Sequence, residues 1–322
     1  MSDTIVILVN GEVLADSNQS SINQQKGSAE VLAESLLPVL KSELRIAMMH
    51  GNKPQVGYVL FRSEVASHVL HPIPLDVCGA DTQGATGYML SQAILNVLRK
   101  HESGRRVMSV ITQTVVNSDP KYLESFSQQI GPWLDRGRAK QRQQLYGWHT
   151  TDEPGYGYRR VVPSPPPIEI VEIEGVRQLI ESGMIVIMAG GGGIPVALND
   201  QGGLDGVEAV VDTDQVSCIL ATQLNAKALL MVIENDHKFL SSGISTNNFR
   251  HLTLGELQEV LASNILTSNM VERKLSSAKE FLQSGGEVVV ISTLEKLSST
   301  LMKESGLWIG IDNPTMDLSN YF

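Results

Sequence analysis

The run Met184-Ile185-Val186-Ile187-Met188-Ala189-Gly190-Gly191-Gly192-Gly193-Ile194-Pro195 joins a short apolar stretch to four successive glycines. An apolar run of this length, bounded by turn-forming residues, reads as a buried strand over Met184 to Ala189. The glycines let backbone N–H groups converge on an anion such as a phosphate without side-chain obstruction. A flexible turn is the competing reading of the same four residues. Their place directly after a strand favours the anion site, because open α/β sheets bind ligands beyond the carboxyl ends of their strands.

Working outward, the same pattern recurs along the chain. Ile5 to Val9, Arg45 to Met49, Val107 to Ile111, Ala228 to Ile233 and Glu287 to Ile291 are further apolar runs. Between the first two, Ala29 to Leu44 carries Val31, Leu32, Leu36, Leu37 and Leu40 at helical spacing. Alternating strands and helices predict an α/β fold, a three-layer αβα sandwich with one continuous, mostly parallel central sheet. Gly155 to Ile168 breaks the composition and contains Pro165-Pro166-Pro167, which fits neither a helix nor a central strand. It reads as a strand followed by a rigid connector. A single domain of residues 1–322 with two lobes is expected, approximately 1–165 and 166–322.

Composition excludes several classes of function. The chain has 322 residues and a formal net charge of −10, with no basic run, so nucleic acid is not an expected partner. Cys78 and Cys218 lie far apart without CxxC spacing, so a disulfide framework is not expected and a reducing cytoplasm is. The first residues lack the pattern of a signal peptide. No apolar run approaches the roughly 20 residues of a membrane span.

Four other segments carry candidate chemistry. His50-Gly51-Asn52-Lys53-Pro54-Gln55-Val56-Gly57 follows a strand and supplies small residues, amides and a cation; a polar turn and helix start is the plainer reading. In Cys78 to Met89, Asp81 or Thr82 suits a helix cap, and small residues allow close packing. Asp212 or Asp214 suits the cap of the next helix, or one of them orients a cationic group or helps hold a metal-bound phosphate. Lys274 lies near the start of a helix, where lysines usually face solvent. His50, His71 and His237 show no metal-ligand spacing, so no metal ligands are assigned.

Together these segments resemble the carbamate kinases, a branch of the amino-acid-kinase fold family, along almost the whole chain. His50 to Gly57 is similar to the family's HGNGPQVG. Pro74 to Ala80 with Gln83-Gly84 and Gly87 to Leu90 resembles PLDVCGAMSQGMIGYML. Tyr158 to Pro165 resembles GYRRVVPSP, Ala189 to Val196 matches AGGGGIPV, and Leu294-Glu295-Lys296 resembles SLEKA. The resemblance implies a usually dimeric phosphotransferase that interconverts ATP and carbamate with ADP and carbamoyl phosphate, using Mg-ATP or Mg-ADP. It implies catalytic roles for Lys274, Asp212 and Asp214. Gly11, Gly51, Asn52, Lys53, Gly190 and Gly191 would bind the small anion, carbamate or carbamoyl phosphate. Gly192, Gly193, Glu234 and Asp236 would bind nucleotide.

The departures fall on the cationic and glycine positions. Val9-Asn10-Gly11 stands where the family has Gly-Gly-Asn, and Lys53 stands at the second glycine of HGNG. The lysine of TKPIG is Gln128, the lysine of DKD is Thr213, and an arginine of GRGYRR is Tyr156. TDVD becomes Ile233-Glu234-Asn235-Asp236, and of GSMGPK only Lys274 is clearly kept. Loss of one preorganised charge costs about 3 kcal/mol, or about 10²–10³ in rate, so two lost lysines cost on the order of 10⁴. Three functions are therefore compatible with the sequence: an active carbamate kinase with a rearranged site, a non-catalytic relative that binds a small anion or serves in an assembly, and a kinase for another small carboxylate or carbamoyl acid. Lys53 either points to solvent, as surface lysines do, or turns inward toward the space at Gln128, facing a bound anion or Asp212 and Asp214.

Overall fold

Apolar residues of β1 (Thr4–Val9) alternate between two cores, as the period of a strand requires. Val6 and Leu8 pack with one cluster and Ile5, Ile7 and Val9 with the other. The computed structural model describes residues 2–15, 21–241, 244, 250–263, 266, 268–311 and 318–321. In chain order the further strands are β2 (Arg45–His50), β3 (Val107–Ser109), β4 (Gln113–Val116), β5 (Phe126–Leu134), β6 (His149–Glu153), β7 (Gly157–Pro163) and β8 (Pro167–Ile170). They continue with β9 (Ile185–Ile187), β10 (Ile194–Leu198), β11 (Leu204–Gly206), β12 (Ala228–Ile233), β13 (Arg250–Thr253), β14 (Val288–Thr293) and β15 (Leu307–Gly310). No helix among the described residues is long and apolar enough to cross a membrane.

The central sheet has eight strands in the order β13-β15-β14-β12-β1-β2-β9-β3. All its neighbours run parallel except β14 and β15. Helices Ile22–Ser35 and Leu75–Lys100 cover one face; Ile173–Glu181, Thr213–Gln223 and Asn269–Gln283 cover the other. This is the expected three-layer α/β sandwich. The sheet crosses the residue-165 boundary, since β9 lies between β2 and β3 and β1 lies beside β12.

Three expectations need correction. The sheet is not the sole one: β11-β10-β4-β8 form a four-stranded sheet and β5-β7-β6 an antiparallel one. β6 is polar and half exposed, and β4, β7 and β10 mix polar residues or proline with short buried apolar stretches, so none shows the continuous apolar run of a buried parallel strand. The helix expected over Ala29 to Leu44 is two, Ile22–Ser35 and Leu37–Lys41, because Pro38 restarts the chain after Leu36. Asp81 and Thr82 cap nothing. They lie inside helix Leu75–Lys100, whose start is set by Pro74 in the cap position. The proline-rich connector begins β8, an edge strand, where proline is tolerated.

The three-stranded sheet is pinned along helix Lys53–Val65. At mid-helix, a Cβ on Gly57 would stand 2.0 Å from Gly131 Cα of β5. At its end, buried Glu64 accepts from Trp148 Nε1 at 2.6 Å and Arg160 Nη1 at 3.0 Å. Burial raises the Glu64 carboxyl pKa, and Trp148, Arg160 and Arg142 oppose that rise. Replacing Gly57 by alanine forces backbone against backbone. It should cost about 1–3 kcal/mol, read as a lower denaturation midpoint with an unchanged slope; an unchanged midpoint contradicts the close crossing.

Candidate functional site

Strands β2, β1, β12 and β9 are parallel neighbours through β1 and β2, so the loops that follow them emerge at one edge. After β1 come Asn10 and Gly11; after β2, Gly51 and Asn52; after β12, Glu234 and Asn235; after β9, the glycine run. The first two turns touch backbone to backbone. A Cβ on Gly51 would lie 2.5 Å from Gly11 N, and one on Gly11 3.0 Å from Gly51 C. Glycine is required here for approach.

The glycine run meets the Gly51-Asn52 turn directly. A Cβ on Gly191 would lie 2.2 Å from Asn52 Oδ1, and one on Gly190 2.5 Å from the His50 ring. Asn52 Nδ2 in turn donates to Thr82 Oγ1 at 2.6 Å. Gly192 N donates to Ala189 O at 3.0 Å and Gly193 N to Gly190 O at 3.1 Å, so these two N–H groups are engaged within the turn. All four glycines are buried, and none lines the crevice described next. The run forms the foundation of the site.

A cavity of about 760 Å³ opens between this edge and the three-stranded sheet. Its floor includes Asn10, Gly11, Gly51, Lys53, Thr213 and Asp214. Gln128, Trp133, Tyr156 and Arg159 face it from the small sheet, and Glu234, Arg273 and Lys274 from the remaining side. Asp236 lies two residues beyond Glu234 and is not part of the lining. Asp212 caps helix Thr213–Gln223, its Oδ1 accepting from Asp214 N at 2.9 Å and Gln215 N at 3.2 Å.

The cations of the crevice differ in what holds them. Lys274 is 1% exposed; its Nζ donates to Asp214 Oδ1 at 2.5 Å and Asn10 Oδ1 at 2.9 Å. Arg273 Nε stands 3.6 Å from Asp212 Oδ2. Arg159 Nε donates to Gly131 O at 2.8 Å, and its guanidinium lies 5.0 Å from the Trp133 ring centre. Tyr156 extends that wall, its ring 5.4 Å from Trp133. Lys53 turns inward, and among the described residues it makes no hydrogen bond or ion pair. Burial lowers its pKa below the usual lysine value. Asp212 and Asp214 oppose that, Arg273 adds to it, and Glu12 opposes it.

In the sequence Asn10 stands out only as a departure from the family's glycines and Arg159 only as part of the Tyr158 to Pro165 segment, while Arg273 and Trp133 do not stand out. The adjacency of Arg273 to Lys274, set against Asp212 and Asp214 two residues apart, was the available signal: two cations on one helix meet two carboxylates at the start of another.

A magnesium nucleotide brings most of the metal's ligands with it, so the chain must chiefly neutralise phosphates. Among the described residues no group of three or more His, Cys, Asp and Glu side chains gathers to hold a metal ion. Lys53 fits a compact anion as it stands. At Lys274 a phosphate would share the ammonium with Asp214 and Asn10.

His50, below the glycine run, donates from Nδ1 to Gly51 O at 3.2 Å, and burial lowers its pKa to about 4. Between about pH 6.5 and 4 the unfolded chain binds the extra proton and the folded chain does not, so stability falls as pH falls through that window. The loss is on the order of 3 kcal/mol when complete. Urea unfolding at pH 7 and pH 4.5 should show a His50→Gln variant losing markedly less stability than the parent; equal losses contradict a neutral buried imidazole.

Three comparisons bear on this arrangement. A family model described as the amino acid kinase family matches residues 3–292. The chain is 33% identical over 311 residues to a carbamate kinase of Pyrococcus horikoshii, covering 95% of this chain and 98% of that one. It is 32% identical over 314 residues to the carbamate kinase-like protein YahI of Escherichia coli, covering 96% and 99%. A solved carbamate kinase from Giardia lamblia bound to citric acid superposes with a TM-score of 0.86 at 28% identity, covering 97% and 99%.

Proposed function

Because the chain belongs to the amino acid kinase family and is carbamate kinase-like over nearly its full length, we propose that its crevice binds a small carbamoyl-type anion, carbamoyl phosphate or carbamate, and transfers phosphate to or from nucleotide only slowly. The observation that carries this reading is the division of labour among the cations. Lys274 and Arg273 already face Asp214 and Asp212, whereas Lys53 projects into the cavity with its charge unanswered by any hydrogen bond or ion pair among the described residues. An ammonium on a four-carbon stem, partly walled off from water, gains more from a bound anion than an exposed one does.

Within this reading the chain's own groups have distinct tasks. Lys53 pairs with the anion. Gln128, in place of a lysine, offers an amide that can hydrogen-bond a carbamoyl group without adding charge. Gly11 and Gly51 keep the floor free of side chains. Trp133 and Tyr156 form an aromatic wall beside Arg159. Among the described residues Lys274 and Arg273 already face carboxylates, which leaves less cationic charge for a transferring phosphoryl group, whose neutralisation supplies most of the rate. The nucleotide, when bound, supplies the phosphoryl acceptor or donor.

Calorimetric titration tests the reading. Carbamoyl phosphate should bind the unaltered chain, and Lys53→Gly should weaken binding by about ten-fold or more, the scale of one charge-assisted contact. Lys53→Gly combined with Gln128→Lys should restore binding from the opposite side. Equal affinity of parent and Lys53→Gly contradicts the assignment of Lys53.

A further inference from the structure

Two lysines share this crevice in opposite circumstances. The Lys274 ammonium is buried and uses two of its three N–H donors on Asp214 and Asn10. The Lys53 amine reaches the same cavity at the start of helix Lys53–Val65 and makes no hydrogen bond or ion pair among the described residues. Around it stand Asp212 and Asp214 at the cap of one helix, Arg273 on another and Glu12 on the short helix Gly11–Leu14. Desolvation and a neighbouring cation are the two circumstances that turn a lysine into a nucleophile near neutral pH. Lys53 has the first from its place in the cavity wall without a hydrogen-bond partner among the described residues; of the second it has Arg273, against which Asp212, Asp214 and Glu12 favour the ammonium, and burial lowers its pKa on balance.

We infer that Lys53 is a covalent modification site: its ε-amine is carbamoylated by carbamoyl phosphate held in the crevice. This rests on the reading that the crevice admits that anion. The unprotonated ε-nitrogen attacks the carbonyl carbon of carbamoyl phosphate. A C–N bond forms, and the bond from that carbon to the bridging phosphate oxygen breaks. Phosphate leaves with the electron pair and takes up the proton that the amine loses. The products are Nε-carbamoyl-lysine and inorganic phosphate, and nothing is oxidised or reduced.

The consequence follows from the charges. A urea replaces an ammonium, so the crevice loses the cation that attracts the anion, while Asp212 and Asp214 remain. The protonated form of Lys53 binds the anion, the unprotonated minority reacts with it, and reaction closes the site to further anion. The chain thereby keeps a record of exposure to carbamoyl phosphate. Lys274 keeps its carboxylate and stays unmodified.

The test is site-resolved mass spectrometry of the full-length protein incubated with carbamoyl phosphate, with a parallel arm in cyanate, the small electrophile that carbamoyl phosphate releases on standing. The gain of one carbamoyl group is followed in time at Lys53, Lys274 and the exposed Lys41 and Lys140. Lys53 should react at least about ten-fold faster than Lys41 and Lys140, as an activated amine does. Its rate should saturate with carbamoyl phosphate, and its advantage should be smaller in cyanate. Lys53→Arg, which keeps the charge, should lose the label from that segment. Modification of Lys53 at the rate of Lys41, an equal advantage in both reagents, or a label that survives in Lys53→Arg overturns the inference. Calorimetry separates the two ideas: binding of carbamoyl phosphate without labelling overturns the inference and leaves the binding reading standing, whereas neither binding nor labelling removes both.

Discussion

The architecture of the crevice depends on one buried contact, the Lys274 ammonium between the Asp214 carboxylate and the Asn10 amide oxygen. It ties together three pieces of chain: the loop after β1, the start of helix Thr213–Gln223 and the first turns of helix Asn269–Gln283. A buried charge is tolerated only when paired and hydrogen-bonded, and losing one partner of such a pair costs about 3–5 kcal/mol. The neighbouring approach of Arg273 to Asp212 reinforces the same junction. In the carbamate kinase pattern the position of Asn10 is glycine, which has no side chain to offer. The substitution therefore does more than crowd a backbone cradle. It supplies a second acceptor that holds the lysine the pattern retains.

That constraint supports the proposed reading of the crevice as a binding site with muted chemistry. The glycines that match the family pattern persist where backbones or buried side chains meet: Gly11 on Gly51, Gly191 on Asn52, Gly57 on Gly131. They preserve the shape of the parallel edge and the seat of the small sheet. Under the proposed function, the cations that the family resemblance assigns to phosphoryl transfer are replaced, at Gln128 and Thr213, and Lys274 and its neighbour Arg273 face carboxylates. Lys53 introduces a charge at a new place. Shape and charge are thus governed by different residues, and a sequence can keep one while altering the other.

The fold was legible because its central strands are apolar on both faces. Ala228 to Ile233 was read with the bounds the structure has, and the strands at β1, β2 and β14 came within two residues. The small sheets escaped notice because strands such as His149–Glu153 are polar and half exposed, with neither an apolar run nor clean alternation. Candidate residues were legible as positions in motifs but not as partners. Nothing local says that Asn10 lies beside Lys274, 264 residues away, or that Lys53 faces inward. The glycine run illustrates the same limit. Four glycines after a strand suit an anion, yet Gly192 and Gly193 use their N–H groups within their own turn.

Under the proposed function the fold and an anion crevice persist, while among the described residues the cations assigned to phosphoryl transfer are engaged or replaced. The most direct test of that function is the initial rate of ATP formation from carbamoyl phosphate and magnesium–ADP by the unaltered protein at saturating substrates. The interactions of Lys274 and the substitutions at Gln128 and Thr213 predict turnover at least about a hundred-fold below an ordinary kinase. Turnover in the ordinary range, roughly 1–100 per second, contradicts it.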